Sequence, residues 1–296
     1  MSGDEVGLDR LWRARGFVHW LAGRSGDAEA AWMRGANHAA AADDDHGRAD
    51  ALSWIICALA HGPTPVAAAI RRCDAILEEL QFERHVVALS MRPYAHLHAM
   101  AGDVDTARDL LDRSNALFAD LAVSMHSAVA HYDAFVAMLA GDAAGAEAVL
   151  RAGYEQLEAM GERALLATTA GLLARALIEQ GRDDDAWTYL DVADDAAAHD
   201  DLNAHMLSRG ERARLLARRG AIAEAERLSA EAVALARQTD WLIDHADTLI
   251  ARAEVQRAAR DRGAAEASIR EAMALYERKG DVVSAGRARA LLNGAG

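Results

Sequence analysis

A small-residue cadence recurs seven times along this chain and constrains its fold more than any other feature. Helical stretches end in turns that lie 36 to 40 residues apart, and an alanine follows each turn by five residues. The turn positions are Gly26, Gly62, Gly102, Gly141, Gly181, Gly220 and Arg260, and the alanines are Ala31, Ala67, Ala107, Ala146, Ala186, Ala225 and Ala265. A helix pair repeated in this way predicts a solenoid, and the long surface of a solenoid favours binding over catalysis.

The predicted fold class is all-α. A right-handed α-solenoid of about seven helix pairs and a C-terminal capping helix would account for residues 1–296 as a single structural unit. The apolar content of 52% is rich in alanine and only 5% of residues are aromatic, which suits closely packed helices. The repeats are expected near 8–45, 46–83, 84–122, 123–161, 162–200, 201–240 and 241–279, and the cap at 280–296.

The residues at each turn explain where the helices of a repeat end and begin. In the third repeat, Gly102 can adopt the left-handed conformation that ends a helix, and Asp103 can cap the amide groups of the next one. Asp27 and Asp142 are expected to cap in their repeats, and Thr64 in the second. The alanine lies where the paired helices should cross, since overpacking there would cost about 1–3 kcal/mol.

Charge and composition exclude several classes of function. A net charge of −14 repels phosphate backbones and anionic lipid, so neither a nucleic acid nor a membrane is expected as a partner. Lys279 is the only lysine, which excludes a phosphate-binding loop of the GxxxxGK[ST] type. No apolar stretch approaches the roughly 18 residues of a membrane span, and the first residues do not form a signal segment. A cytoplasmic location is therefore expected.

Neither a metal site nor a cofactor is predicted. Cys57 and Cys73 lack CxxC spacing and are expected to be buried thiols. His96 and His98 lie two residues apart on a helix and would point to opposite sides. No nucleophile, base and orienting group stand at a recognisable spacing, so the chain is predicted not to be an enzyme.

Three segments give the repeats a family resemblance. They are GPTPV at 62–66 followed by AIRRC at 69–73, LAGD at 139–142 followed by Ala146, and ALYERKGDVV at 274–283 followed by RARALL at 287–292. The spacing resembles tetratricopeptide (TPR) repeats of about 40 residues, and the segments resemble the C-terminal repeat region of bacterial multidomain proteins with a class III nucleotide cyclase and an AAA ATPase, and of large transcriptional activators. The resemblance implies a signalling scaffold without the catalytic modules, which are absent here.

The TPR register predicts which first-helix positions line the groove of the solenoid. The candidate ligand-binding residues are Arg92, His96, His131, Phe135, Arg175, Arg214, Arg218, Glu254 and Arg257, and the same register adds Arg13, Trp20, Arg24, Met138, Glu179 and Asp247. Seven arginines against three carboxylates predict a basic groove of about +4.

A basic groove predicts an acidic ligand, because an arginine fork binds carboxylate or phosphate oxygens in pairs. The leading hypothesis is a non-enzymatic protein interaction scaffold that binds an acidic peptide or partner segment. The alternative is a sensor that encloses an anionic small molecule in the same groove. A third interpretation is that the arginines pair with neighbouring carboxylates and only solvate this face.

Overall fold

Regular structure in this chain consists of helix pairs. The computed structural model describes residues 4–121 and 127–294, and all fifteen regular elements in those ranges are α-helices. They are α1 Glu5–Leu21, α2 Ser25–Ala41, α3 Asp45–His61, α4 Val66–Glu79, α5 Arg84–Met100, α6 Val104–Asp120, α7 Ser127–Leu139, α8 Ala143–Met160, α9 Arg163–Glu179, α10 Asp183–Ala196, α11 Leu202–Arg218, α12 Ile222–Ala236, α13 Leu242–Ala258, α14 Arg262–Lys279 and α15 Val282–Asn293.

The helices pair as the repeat pattern predicts. Each odd-numbered helix from α1 to α13 packs on the helix that follows it, and α15 is the first helix of a further pair. First helices of successive pairs also pack side by side, as α9, α11 and α13 do. The prediction of an all-α solenoid with a C-terminal helix is confirmed. The expected boundary at residues 122 and 123 lies outside the described residues.

The chain divides into two compact units, residues 1–124 and residues 125–296. The N-terminal unit contains α1 to α6, and the C-terminal unit contains α7 to α15. That one continuous unit spans the chain stays a prediction.

Small side chains bring the paired helices together in the later repeats. Ala107, Ala146, Ala186 and Ala225 have no exposed surface, and Ala265 is 1% exposed. Four of them share a buried cluster with the alanine that precedes the same turn by seven residues: Ala146 with Ala134, Ala186 with Ala174, Ala225 with Ala213, and Ala265 with Ala253. The expected helix crossing is therefore confirmed in these repeats.

The turn chemistry is also confirmed after the second repeat. Gly102 ends its helix in the left-handed region with φ 84°, and the Asp103 side chain accepts a hydrogen bond from the Thr106 amide at 3.2 Å. Asp142 caps α8 by accepting from the Gly145 amide at 2.8 Å. Arg260 adopts the same left-handed conformation, φ 64°, without the freedom of glycine.

The predicted register is wrong by three residues in the first repeat. The left-handed turn residue is Gly23 with φ 69°, and Gly26 and Asp27 lie inside α2, which begins at Ser25. Arg24 occupies the N-cap position of α2 and makes no side-chain cap. Five residues after Gly23 comes Ala28, which is fully buried. The helix therefore starts earlier than expected, and Asp27, which was expected to cap it, lies in its first turn.

The second repeat also departs from the prediction at the turn between its two helices. Pro65, and not Thr64, occupies the N-cap position of α4. Ala67 is exposed, and Ala69 is the fully buried alanine of this helix. Two prolines in the turn lengthen it, so the helix contact moves two residues along the chain.

The two ends of the C-terminal unit touch through one arginine. Arg287 of α15 donates to the carbonyl oxygens of Met138 at 3.1 Å and Leu139 at 2.8 Å, at the end of α7. A cation at these carbonyls also suits the negative end of the α7 dipole. The first and last helices of this unit are thereby joined.

Candidate functional site

Repeat spacing places charged side chains of the C-terminal unit against one another. Residues one repeat apart on neighbouring first helices lie side by side, because each first helix packs on the next. Arg175 on α9, Glu211 on α11 and Asp247 on α13 are 36 residues apart in succession. We call the set formed by Arg175, Glu179, Glu211, Arg214, Asp247, Glu254 and Tyr276 the ionic network.

Arg175 joins three helices of this layer. Its Nε donates to Glu211 Oε1 at 2.7 Å, and its Nη1 donates to Asp247 Oδ2 at 2.6 Å. Tyr276 of α14 donates its hydroxyl to Asp247 Oδ1 at 2.6 Å. The guanidinium is therefore fixed from two sides while 24% of the side chain stays exposed.

Arg214 is the most enclosed cation of the network, with 9% of its side chain exposed. It donates to Glu211 Oε2 at 2.8 Å, to Glu179 Oε1 at 2.7 Å and to Glu254 Oε2 at 2.9 Å. Glu211 thus receives one arginine on each carboxylate oxygen, and Arg214 receives three carboxylates. Such charge-assisted bonds are the strong class of protein hydrogen bonds.

The pKa values follow from burial and charge. Burial of Glu211 alone would raise the pKa of its carboxyl, but the attraction of Arg214 and Arg175 outweighs burial and lowers that pKa. Burial acts against the charge of Arg214 too, yet Glu211 and Glu254 raise its pKa well above the ordinary value. Both groups are charged at neutral pH.

Beside the network lies Asp244, whose carboxyl pKa is shifted in the opposite direction to that of Glu211. Burial, and then repulsion by Asp247, raises the pKa of Asp244 to about 6. Burial and the same aspartate raise the pKa of Tyr276 well above its ordinary value, so the phenol remains a donor. This end of the layer therefore resists additional negative charge.

The charge balance of the ionic network differs from that of the expected basic groove. In the ionic network two guanidinium groups face four carboxylates, so negative charge is in excess. The sequence count placed Arg175 and Arg214 inward and left out Glu211, which bonds to both. The contacts of the network agree with the third interpretation of the sequence, in which the arginines pair with neighbouring carboxylates.

Two other predicted arginines are bonded elsewhere. Arg218 donates to Asp183 Oδ1 of α10 at 2.6 Å, and 38% of its side chain is exposed. Arg257 donates to the Leu291 carbonyl oxygen at 2.7 Å, near the end of α15. Arg257 thus holds the last helix, whereas Arg218 sits at an exposed pair.

His131 and Phe135 take structural positions on α7. His131 Nε2 lies 2.7 Å from Thr169 Oγ1, and this hydroxyl donates to the Leu165 carbonyl oxygen. The ring nitrogen is therefore the donor, and burial lowers the pKa of His131 to about 4. Phe135 packs against a buried cluster formed by residues of α7 to α11. Neither is part of the ionic network.

Arg92 and His96 belong to the N-terminal unit. Arg92 is 3% exposed, donates to Asn115 Oδ1 at 2.5 Å, and places its guanidinium carbon 5.5 Å from the Phe118 ring centroid. Asn115 and Phe118 are on the second helix α6, so the guanidinium is held between paired helices and not on an open groove face. His96 is 6% exposed, with its ring 6.3 Å from that of His61.

Aromatic rings occupy the first-helix layer of the N-terminal unit. Phe17 lies 4.8 Å from Trp54, and Trp20 lies 5.4 Å from His61, measured between ring centroids. Trp32 of α2 packs beneath Phe17 at 5.5 Å and is fully buried. The amino-acid composition gives little sign of this cluster. The only signal in the sequence is that Trp54 and His61 lie about one repeat after Trp20.

Fixed polar groups give this layer the means to bind a ligand. Among the described residues no group of three or more His, Cys, Asp or Glu side chains is arranged to hold a metal ion. No helix in the same ranges is long and apolar enough to cross a membrane. Carboxylates and guanidinium groups held in place by neighbours can still donate to, or accept from, a ligand without rearranging.

These features define an α-solenoid of TPR-like helix pairs with a polar first-helix layer. No protein-family model matches the chain, and no curated protein matches it in sequence. Its structure is similar to the crystal structure of NprR in complex with its cognate peptide NprX, over 100% of this chain and 85% of that one, at 12% identity and a TM-score of 0.68. It is also similar to the apo form of the quorum sensor NprR from B. thuringiensis, over 90% and 80%, at 11% identity and a TM-score of 0.54. Identities this low show a shared fold alone.

Proposed function

We propose that this chain is a non-enzymatic scaffold that binds a peptide segment of a partner protein along the first helices of its repeats. One observation carries the proposal. The ionic network holds Arg175, Asp247, Glu254 and Glu179 in place while 24 to 43% of each side chain stays exposed. Groups fixed in this way bind a ligand at little cost in side-chain entropy. NprR, a protein of the same fold, is described in complex with its cognate peptide.

The charge of the peptide follows from the same contacts. Because carboxylates outnumber guanidinium groups in the network, its potential favours a peptide with a basic side chain at this point. The acidic peptide that the sequence predicted would have to displace Glu211 from Arg175 and Arg214. It remains the competing proposal, and exposed Arg218 is its best anchor.

A binding experiment with two peptide pools separates these proposals. Labelled basic and acidic pools are titrated with the full chain and with Asp247→Asn/Glu254→Gln, and binding is followed by fluorescence anisotropy. We expect the basic pool to bind and the double variant to weaken it about tenfold. Glu224→Gln is the control, because Glu224 pairs with Arg227 on the exposed side of α12.

The relative affinity of the two pools decides between the proposals. Tighter binding of the acidic pool, abolished by Arg218→Gln, supports the acidic ligand. No binding of either pool by the folded chain refutes a peptide site in this layer.

A closed C-terminal unit supports a second candidate, the small-molecule sensor, although an anionic ligand would have to bind away from the carboxylates of the ionic network. The bonds from Arg287 to the end of α7 join the first and last helices around the layer of first helices. A thermal-shift screen of carboxylate and phosphate metabolites tests this candidate, and Arg287→Ala should weaken any hit. A cytoplasmic location, a bacterial signalling role and the likeness to cyclase and ATPase proteins stay predictions from the sequence.

A further inference from the structure

Helix α1 carries an exposed apolar stripe. Leu11 is 61% exposed, Val18 62% and Leu21 71%, and Ala14 between them is also exposed. Their spacing of three, four and three residues places all four on one side of the helix. Among the residues whose side chains the structure describes, seven large apolar side chains are exposed, and three of them form this stripe.

The position of α1 explains why the stripe is open. The other side of the helix, with buried Asp9 and Gly16, packs on α2 and α3. A first helix inside a solenoid packs on a neighbouring pair at each side. The outer side of α1 is equally apolar but is exposed among the described residues, so it has the surface of a helix that packs on another.

Both flanks of the stripe are basic. Arg10 and Arg15 are exposed on either side of it, about 60° and 80° around the helix from its centre. The acidic residues at the start of the helix are engaged, since Asp4 caps the Gly7 amide and Glu5 lies 2.7 Å from His38. The stripe and its flanks form a positive apolar edge within a chain of net charge −14.

We propose that this edge docks an amphipathic helix of a partner protein, with an apolar stripe and acidic flanks. Leu11 to Leu21 span about 15 Å of helix, enough for roughly three turns of such a partner. Carboxylates beside its apolar residues would meet Arg10 and Arg15, which sets both affinity and direction.

A second copy of this chain fits the edge poorly. Packing α1 on α1 would bring Arg10 and Arg15 of both copies together, and like charges at this distance repel. The remaining exposed large apolar residues outside α1, Phe82, Met160 and Val282, lie on separate elements and form no complementary stripe in the described residues.

The test uses the full chain and two designed peptides. Both are labelled, helix-stabilised and carry leucines in the spacing of the stripe; one has glutamates on its flanks and its twin has lysines. We expect micromolar binding of the glutamate peptide and at least tenfold weaker binding of the lysine peptide. In Arg10→Glu/Arg15→Glu this preference should reverse.

The apolar contribution is tested by Leu11→Ser/Val18→Ser/Leu21→Ser. These side chains are exposed, so the melting temperature should stay unchanged while binding falls at least tenfold. Phe82→Ser, at an 86% exposed position elsewhere, is the matched control and should bind like the parent.

Three results overturn the proposal. They are equal binding of the two peptides, no binding of the glutamate peptide, and a dimer in analytical ultracentrifugation that the triple serine variant loses. The last result would assign the edge to a second copy. None of them depends on the ionic network, which lies in the C-terminal unit.

Discussion

Replacing Glu211 tests whether the ionic network holds the C-terminal unit together. Its side chain is 4% exposed and accepts from Arg175 and Arg214, one on each oxygen. Glu211→Gln keeps the shape of the side chain but replaces one of its two acceptor oxygens with an amide NH2, a donor that faces an arginine. One hydrogen bond is lost, and a donor meets a donor in a buried site.

The expected loss of stability is about 2–3 kcal/mol. Removing one partner of a buried ion pair costs about 3–5 kcal/mol. A smaller cost is expected here because Arg175 keeps Asp247, and Arg214 keeps Glu179 and Glu254. With a urea slope of about 2–3 kcal/mol/M, the unfolding midpoint should fall by about 1 M.

The pH dependence gives a second measure of the same contact. A carboxyl group whose pKa is lower in the folded state stabilises the fold above its unfolded pKa, here 4.5, and this contribution is lost as the pH falls through the folded value. The difference between parent and Glu211→Gln should therefore be full at pH 7 and shrink below about pH 4.

Urea unfolding followed by far-UV circular dichroism, with hydrogen exchange to locate the change, is the assay. Faster exchange is expected in α9, α11 and α13. Glu224→Gln, which removes an exposed carboxylate on α12, should leave the midpoint unchanged. If both variants shift the midpoint equally, or Glu211→Gln leaves it unmoved, the network does not stabilise this unit and the reasoning fails.

Four further substitutions test burial, close approach and backbone strain. Asp244→Asn should raise stability at pH 7 by about 1–3 kcal/mol, a gain that vanishes by about pH 4 in urea titrations, because burial and a neighbouring carboxylate raise the pKa of Asp244 to about 6. Gly16→Ala should lower the melting temperature, since a Cβ there would lie 2.2 Å from Trp32 Nε1, whereas Gly286→Ala, with nothing within 4 Å, should gain about 0.5–1 kcal/mol. Arg260→Gly should stabilise by up to about 1 kcal/mol by relieving its left-handed φ of 64°, and a lower melting temperature would contradict this.

The sequence predicted the helix pairs best where local signals agree. In the third repeat, Gly102, Asp103 and Ala107 specify the turn, the cap and the contact within six residues. In the first repeat, Arg24 makes no side-chain cap, so the sequence offered Gly26 and Asp27 as a false turn. Local chemistry therefore placed the helix boundary of the third repeat and misplaced that of the first.

The candidate site was predicted in part. The TPR register placed Arg175, Arg214 and Glu254 in the first-helix layer, and the structure joins these three in one network. It missed Glu211, although a carboxylate three residues before Arg214 on a helix is a visible pairing signal. Arg92 was misplaced, because its side chain turns toward α6.

By itself, the sequence determined the repeating helix pair, because turn chemistry and small contact residues act over a few neighbouring positions. Only the tertiary structure decided which charges meet. The partners of Arg175 and Arg214 lie mostly 35 to 40 residues away, and their pairing depends on how far one helix slides along the next. That offset is set by packing across whole repeats. The net charge of the first-helix layer therefore could not be obtained by counting charged residues at the predicted groove positions.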